Sequence, residues 1–280
     1  MMNIRYLFVA VFAGLTLLTS CEHIDESDRL IEVTPTEVSR AVLVEEFSGQ
    51  FCVNCPYGAA QLHRMEAEYG ADSLVVVTIH CGVKEGFGID PNDPDLGPLS
   101  LVTADGEKRF NEVGRPAQPA ILVDRRGAAV GRSDVGSRPE EDSKNWLTAI
   151  LNAFQLPAMV EMEGRAYQKN EGEAELTLTL TPSQHLNGAI TVWVTESDII
   201  GVQKYPTGYE MNYQHNNIFR KSITPMSGES VALKAGEPKE LSYNFKLAEG
   251  WNADNLNIVA FVSDNNGVCQ TVKIKLEKTE

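Results

Sequence analysis

Two patterns of hydrophobic and polar positions divide this chain. Residues 41–47 (AVLVEEF) form a β-branched, apolar run, and residues 48–51 turn the chain. Ala59, Ala60, Leu62, Met65, Ala67 and Tyr69 then recur at helical spacing up to a stop at Gly70. Residues 71–80 (ADSLVVVTIH) read as a second buried strand, so strand, helix and strand predict a β-α-β crossover with parallel strands. Further on, a short helix closes over 109–114, and a proline-bearing loop at 115–119 runs into a strand ending at Asp124. Residues 125–127 turn into 128–131, and residues 143–154 are again helix-like.

Near residues 155–157 the period falls to two. Residues 174–180 (AELTLTL) alternate cleanly, followed by strand-like runs at 190–195, 241–247, 256–262 and 268–276. Short strands between turn signals predict an antiparallel sandwich, with a hairpin across Asp264, Asn265, Asn266 and Gly267. Residues 205–210 and 213–220, rich in aromatic and hydrogen-bonding groups, read as a long connection. Within it Tyr209, Tyr213, His215 and Arg220 are candidates to meet a glycan, a protein ligand or the other domain, against the plainer role of packing the loop upon itself.

The first residues carry an address. A single Arg5, an apolar run from Tyr6 to Leu18 and then Thr19, Ser20 and Cys21 make a lipoprotein signal over residues 1–20, cleaved before a Cys21 whose sulfur takes lipid. Lipidated Cys21 would hold the mature chain on a membrane, since each buried methylene contributes about 0.8 kcal/mol. Residues 21–40, acidic and polar, read as a tether. Boundaries then fall at 41–156 for an α/β domain and 157–280 for the sandwich. A net charge of −15 argues against nucleic acid as a partner and leaves acyl chains as the anchor.

Five cysteines are present. Cys21 is the lipidation candidate, and Cys269 reads as a small buried hydrophobe of the last strand. Cys52 and Cys55 stand three apart where the first strand hands over to the helix, a position where unpaired N–H groups and the helix dipole favour a thiolate. A thiolate that attacks and a second thiol that resolves need this proximity, which makes Cys52 the exposed nucleophile and Cys55 its resolving partner in dithiol–disulfide exchange. Export from the cytosol allows the disulfide to persist. His80 and Cys81 fall at the carboxyl end of the second strand, where sites of open α/β sheets gather. They are accessory candidates, as a third exchanging thiol or a strand-end pair that packs.

In order and motif, residues 41–153 resemble the thioredoxin superfamily: a strand, a C-x-x-C helix, a parallel strand, a proline loop and an antiparallel hairpin. The resemblance implies a cis-proline at Pro119, with Pro116 as the alternative, and a substrate backbone held at Gln118–Pro119. It also implies a buried carboxylate at Glu46 that manages the proton of Cys55. The residue-level alternative for Glu45 and Glu46 is alternation across a sheet edge with one carboxylate solvated. Phe51 and Val53-Asn54 depart from the Trp and Gly-Pro usual in thioredoxins, so no redox poise carries over. Residues 82–103, broken by Gly86, Gly88, Pro91, Pro94 and Pro98, are an insertion relative to a minimal thioredoxin. Asp90, Asn92, Asp93 and Asp95 do not make an EF-hand, because Pro94 and Leu101 occupy ligand positions.

Leader, E-E-F-x-G-x-x-C-x-N-C-P stretch and H-N-x-x-x-R stretch together resemble the twenty-eight-kilodalton outer-membrane-protein family of lipoproteins. That likeness implies lipid anchorage to the outer membrane and a receptor- or adhesin-like character. The expected fold is therefore α/β plus all-β, a thioredoxin-like domain followed by an antiparallel Ig-like β-sandwich. The leading expected activity is thiol–disulfide exchange on envelope protein thiols or disulfides, with no cofactor and no bound metal. Its rival is a binding module in which the Cys52–Cys55 disulfide is structural, and metal binding by Cys52, Cys55, His80 and Cys81 ranks last.

Overall fold

A computed structural model describes residues 40–131, 144–170 and 172–278. Cys21, the leader and nearly all of the tether lie outside the described residues. The apolar run at 41–47 forms β1 (Val42–Ser48), buried at every position because it runs between two neighbours with both faces covered. The chain turns and enters helix α1 (Cys55–Tyr69), where Cys55, Gly58, Leu62 and Met65 make a buried stripe at helical spacing. Gly58 is required by close approach: a Cβ there would stand 2.9 Å from the Pro119 ring and 3.1 Å from Trp146. Strand β2 (Leu74–His80) then pairs in parallel with β1, Val42 opposite Leu74 through Ser48 opposite His80.

Helix α2 (Ala104–Glu112) is capped by the Thr103 side chain, which accepts from the Gly106 N–H. Strand β3 (Ala120–Val123) lies antiparallel to β1, β4 (Val130–Gly131) follows it, and α3 (Lys144–Phe154) packs Trp146 and Ile150 onto β1 and β3. The carboxyl-terminal half supplies β5 (Val160–Asn170), β6 (Glu173–Pro182), β7 (Leu186–Glu196), β8 (Ile199–Tyr205) and β9 (Gly208–His215). After these come β10 (Ile218–Ser222), β11 (Glu229–Leu233), β12 (Lys239–Lys246), β13 (Leu256–Asp264) and β14 (Gly267–Lys278).

These elements correct the expected fold class. Among the described residues there are three α-helices against fourteen strands. Twelve of the strands join one mixed sheet in the order β12-β6-β5-β14-β13-β7-β10-β2-β1-β3-β4, with β11 added on β7. The protein is mainly β, and the expected thioredoxin-like α/β domain followed by an antiparallel sandwich is not what forms. The reason is pairing: β10 docks in parallel on the free edge of β2, Ile218 opposite Thr78, and β14 meets β5 in parallel at Leu276–Lys278. One apolar cluster crosses both halves, with Phe47, Val75, Val77 and Phe110 packed together with Trp193, Phe219, Phe261 and Val268. A second cluster fills the space among β5, β6, β12, β7, β13 and β14, and Cys269 is part of it, as expected of a small buried hydrophobe. Burial pushes the Cys269 thiol up to about 11.

The second correction concerns residues 205–220. They are not a long loop: β8 and β9 form a separate two-stranded hairpin, Ile199 opposite His215 and Tyr205 opposite Gly208, and β10 follows at once. Asn217 makes the joint. It sits at φ 56°, a left-handed conformation that Asn tolerates better than most residues. Its carbonyl accepts from Thr78 N–H at 2.8 Å, its N–H donates to Ser197 Oγ at 3.0 Å, and its amide donates to both oxygens of Glu66 at 3.0 Å. Lys273 Nζ donates to Asn217 Oδ1 at 3.1 Å.

Asn217→Ala removes the side-chain bonds, leaves Glu66 short of donors and strains the backbone. The expected cost is about 2–4 kcal/mol, read from urea unfolding. Asn217→Asp keeps the backbone preference but places a carboxylate against Glu66, and is expected to lose at least as much.

Candidate functional site

The turn between β1 and α1 carries the two sulfurs. Cys52 and Cys55 are joined as a disulfide, Cys52 in the turn and Cys55 opening the helix. Only Cys55 therefore lies in the first helical turn, where both were expected. The expectation that Cys52 presents an exposed sulfur also fails, since Cys52 is 2% exposed and Cys55 1%.

What buries them is the β8–β9 hairpin. Gln203 on β8 donates from Nε2 to Cys52 O at 3.1 Å and to Gly49 O at 3.3 Å. Gln50, itself fully buried, answers in the other direction: its carbonyl accepts from Lys204 N–H at 2.8 Å, and its amide reaches Val202 O at 3.4 Å and Leu99 O at 2.9 Å. Edge-on aromatic contacts complete the clamp, Phe51 with Tyr209 and Tyr57 with Tyr205. Sequence reasoning missed Gln50 and Gln203 because a lone glutamine gives no pattern; both are the polar groups that satisfy turn backbone once water is excluded.

Glu45 and Glu46 are both buried, so neither is the solvated member of an edge pair, and β1 is not an edge strand. They have opposite electrostatic fates. Burial alone would push Glu45 up, but Arg125 and Arg109 outweigh it and hold its carboxyl below the usual range, Arg109 through two 2.8 Å bonds. Glu46 receives one hydrogen bond, from Thr78 Oγ1 to Oε2 at 2.7 Å, while Oε1 is buried with no hydrogen-bond partner. Burial pushes Glu46 up to about 7, the Thr78 bond opposing and the nearby Glu66 adding to the rise.

The remaining candidates divide. His80 and His215 meet edge to face with ring centroids 5.2 Å apart, and Tyr213 stands 4.7 Å from His215. Burial drives both imidazoles toward the neutral form, His215 down to about 4, and His80 Nδ1 is left without a partner. Cys81 is fully buried; desolvation holds its thiol well above the ordinary value, and Gln118 Nε2 donates to its sulfur at 3.2 Å. Such a thiol is inert to exchange. The Gln118–Pro119 peptide is cis, and Pro119 faces the Gly58 turn of α1. Tyr209 is exposed on the hairpin, but Arg220 is taken up by Glu196 at 3.2 Å and by the Trp251 ring, apart from the tyrosines.

Glu46, Glu66, Thr78, Tyr205, Tyr213 and Asn217 line a cavity of about 220 Å³ between α1 and the hairpin. Among the described residues no cluster of three His, Cys, Asp or Glu side chains is placed to hold a metal.

The outer membrane protein Omp28 family matches residues 111–280, more than half of the chain. The chain belongs to the Omp28 family. It is accordingly an outer-membrane lipoprotein of the cell envelope, the location expected from the leader together with the family resemblance. The family match begins after the disulfide, so it carries nothing about Cys52 and Cys55. HBP35 of Porphyromonas gingivalis is 16% identical, with a TM-score of 0.58 over 85% of this chain and 75% of that one, a likeness of fold. A domain of the outer membrane lipoprotein Omp28 from Porphyromonas gingivalis is 18% identical over 45% of this chain and 95% of that one, with a TM-score of 0.33. No curated protein matches.

The pH dependence of stability isolates Glu46. Its folded value of about 7 lies above the ordinary 4.5, so the native state holds the extra proton between those values and stability falls as pH rises through that window. Glu46→Gln, which keeps an acceptor for Thr78, is expected to gain about 1–3 kcal/mol at about pH 8 and little at about pH 4. His215 works in the opposite sense, losing stability as pH falls from 6.5 toward 4, and that loss persists in the variant. Urea midpoints across pH for the two proteins check both signs.

Proposed function

We propose that this Omp28-family chain is an outer-membrane lipoprotein acting as a binding module, adhesin-like in character, in which the Cys52–Cys55 disulfide is a structural staple. The observation that carries the reading is the burial of both sulfurs beneath the β8–β9 hairpin, held by Gln203 and Gln50. Exchange requires a thiolate to approach a disulfide sulfur in line, and here the hairpin occupies the approach. With the sulfurs covered, the staple fixes the turn on which the hairpin sits. The hairpin in turn displays Ile200, Tyr209 and Met211, each more than half exposed, a composition suited to contact with a partner.

A static disulfide has a measurable signature. In the folded protein, excess reductant with an alkylating trap is expected to leave Cys52 and Cys55 unmodified, while both react once denaturant is added. The equilibrium potential is expected below about −300 mV, in the range of structural disulfides. Replacing both by alanine is expected to cost about 2 kcal/mol, the loop-closure contribution of so short a ring. Ready reduction of the folded protein by a glutathione buffer, or capture of envelope proteins on Cys52 in a Cys55→Ser variant, would instead support exchange on protein thiols and overturn the module.

A further inference from the structure

The cavity between α1 and the hairpin holds one group that nothing in the fold satisfies. Glu46 is 1% exposed, its Oε1 has no hydrogen-bond partner, and no ion pair among the described residues joins it. The second carboxylate of the cavity, Glu66, is already served by the Asn217 amide, with Lys273 close behind. A buried acceptor without a donor costs stability. Here Glu46, the residue that carries the unused acceptor, lines a space of side-chain size together with Tyr205 and Tyr213. The cavity reaches solvent at Ala60 and Gln214, both exposed, so a ligand has a route to it.

We propose that this cavity binds a small organic cation, an alkylammonium or guanidinium group whose N–H donors meet the free Oε1 of Glu46. A carboxylate supplies the counter-ion, and neighbouring tyrosine rings offer the negative faces that attract such cations. Glu66 does not compete, because its donors and its nearby cation are built in. An anion is disfavoured by two carboxylates, and a purely apolar ligand would leave Glu46 as it is. The proposal rests on the binding-module reading and gives that module a ligand class. Two sources present this chemistry, a free amine and the lysine or arginine side chain of a protein.

The test is calorimetric titration of the soluble chain lacking its leader, at about pH 8, where Glu46 is ionised. The probes are butylammonium, butylguanidinium, neutral butanol, and a blocked glycine-lysine-glycine peptide. Saturable binding of one equivalent of butylammonium or butylguanidinium is expected, with none of butanol. Glu46→Gln is expected to weaken it at least tenfold. That variant is the more stable protein at this pH, so its loss of binding is not a loss of fold. Peptide binding as tight as that of the free amine points to a protein side chain, and binding of the free amine alone to a small molecule; either supports the site. No binding, equal binding of butanol, or indifference to Glu46→Gln overturns it. Because disulfide protection is measured separately, a failed titration with protected sulfurs overturns the pocket alone, and reducible sulfurs overturn the module without touching the titration.

Discussion

The backbone hydrogen bond from Thr78 N–H to Asn217 O joins the two halves of this molecule beside the disulfide turn and the Glu46 cavity. It turns the free edge of β2 into the docking site of β10, and through β10 connects β7, β13 and β14 into the sheet of β1 to β4. The pairing covers a single residue pair, Ile218 with Thr78, so main-chain bonds alone do not hold the joint. Side chains reinforce it on both faces. Phe219 buries against Trp193 on one, while Thr78 and the Asn217 amide bind Glu46 and Glu66 on the other. The same joint fixes where the hairpin that precedes Asn217 leaves the sheet, and Gln203, Gln50 and the aromatic contacts then seat it on the disulfide turn.

A second clasp stands at the far end of β1. Arg40 pairs with Asp124 at 2.5 Å and donates to the carbonyls of Val268 and Cys269, while Asp124 accepts from Leu43 N–H. Both charges are buried, so the pair adds little net stability over an apolar substitute. Breaking one partner would still cost several kcal/mol, because the other would remain buried and unpaired. The same carbonyls stand at the start of β14, where Val268 N–H also donates to Asp124 O at 2.7 Å, so the pair and a backbone bond together meet the end of β3. Glu45 with Arg109 and Arg125 plays the same part between β1, α2 and the turn after β3, with Arg125 stacked over Trp193 and Phe261. Arg40 and Arg125 each reach from the first half of the chain to residues of the second, and so support the strand pairing that makes two periodic patterns one sheet.

Local pattern carried much of this. The apolar runs at β1 and β2, the helical spacing from Ala59 to Tyr69, and the Asp264 to Gly267 hairpin all formed where the periodicity places them, because each is decided by neighbours in sequence. Pairing partners were not legible. A nearly all-apolar β2 announces that both its faces are covered but does not name the strands that pair with its edges, and so a β-α-β signal was extended into a whole α/β domain. Hairpin β8–β9 escaped notice because Tyr205, Pro206, Thr207 and Gly208 carry turn chemistry while their flanks mix aromatic and polar residues without clean alternation. Burial of Cys52 depends on that hairpin, whose Gln203 stands 151 residues downstream of it, and was invisible for the same reason. Glu46 was legible as a buried carboxylate. Its isolation was not, since that depends on Asn217 and Lys273 being spent on Glu66.

The disulfide and the cavity share a roof, and this constrains what the protein can do with either. Cys55, Pro56 and Thr78 lie between them, and Gln203, Tyr213 and His215 of the hairpin close over the same small space. Lifting the hairpin far enough to admit an attacking thiolate would remove Tyr205 and Tyr213 from the Glu46 cavity and release Gln203 from the Cys52 carbonyl. A ligand held by Glu46 and the tyrosines would favour the closed arrangement, by the differential affinity that any ligand must show to shift a conformational equilibrium. Occupancy of the proposed site and access to the sulfurs would therefore oppose each other. A fold that spends Gln50, Gln203 and Asn217 on keeping the hairpin down has placed its bias on the closed arrangement.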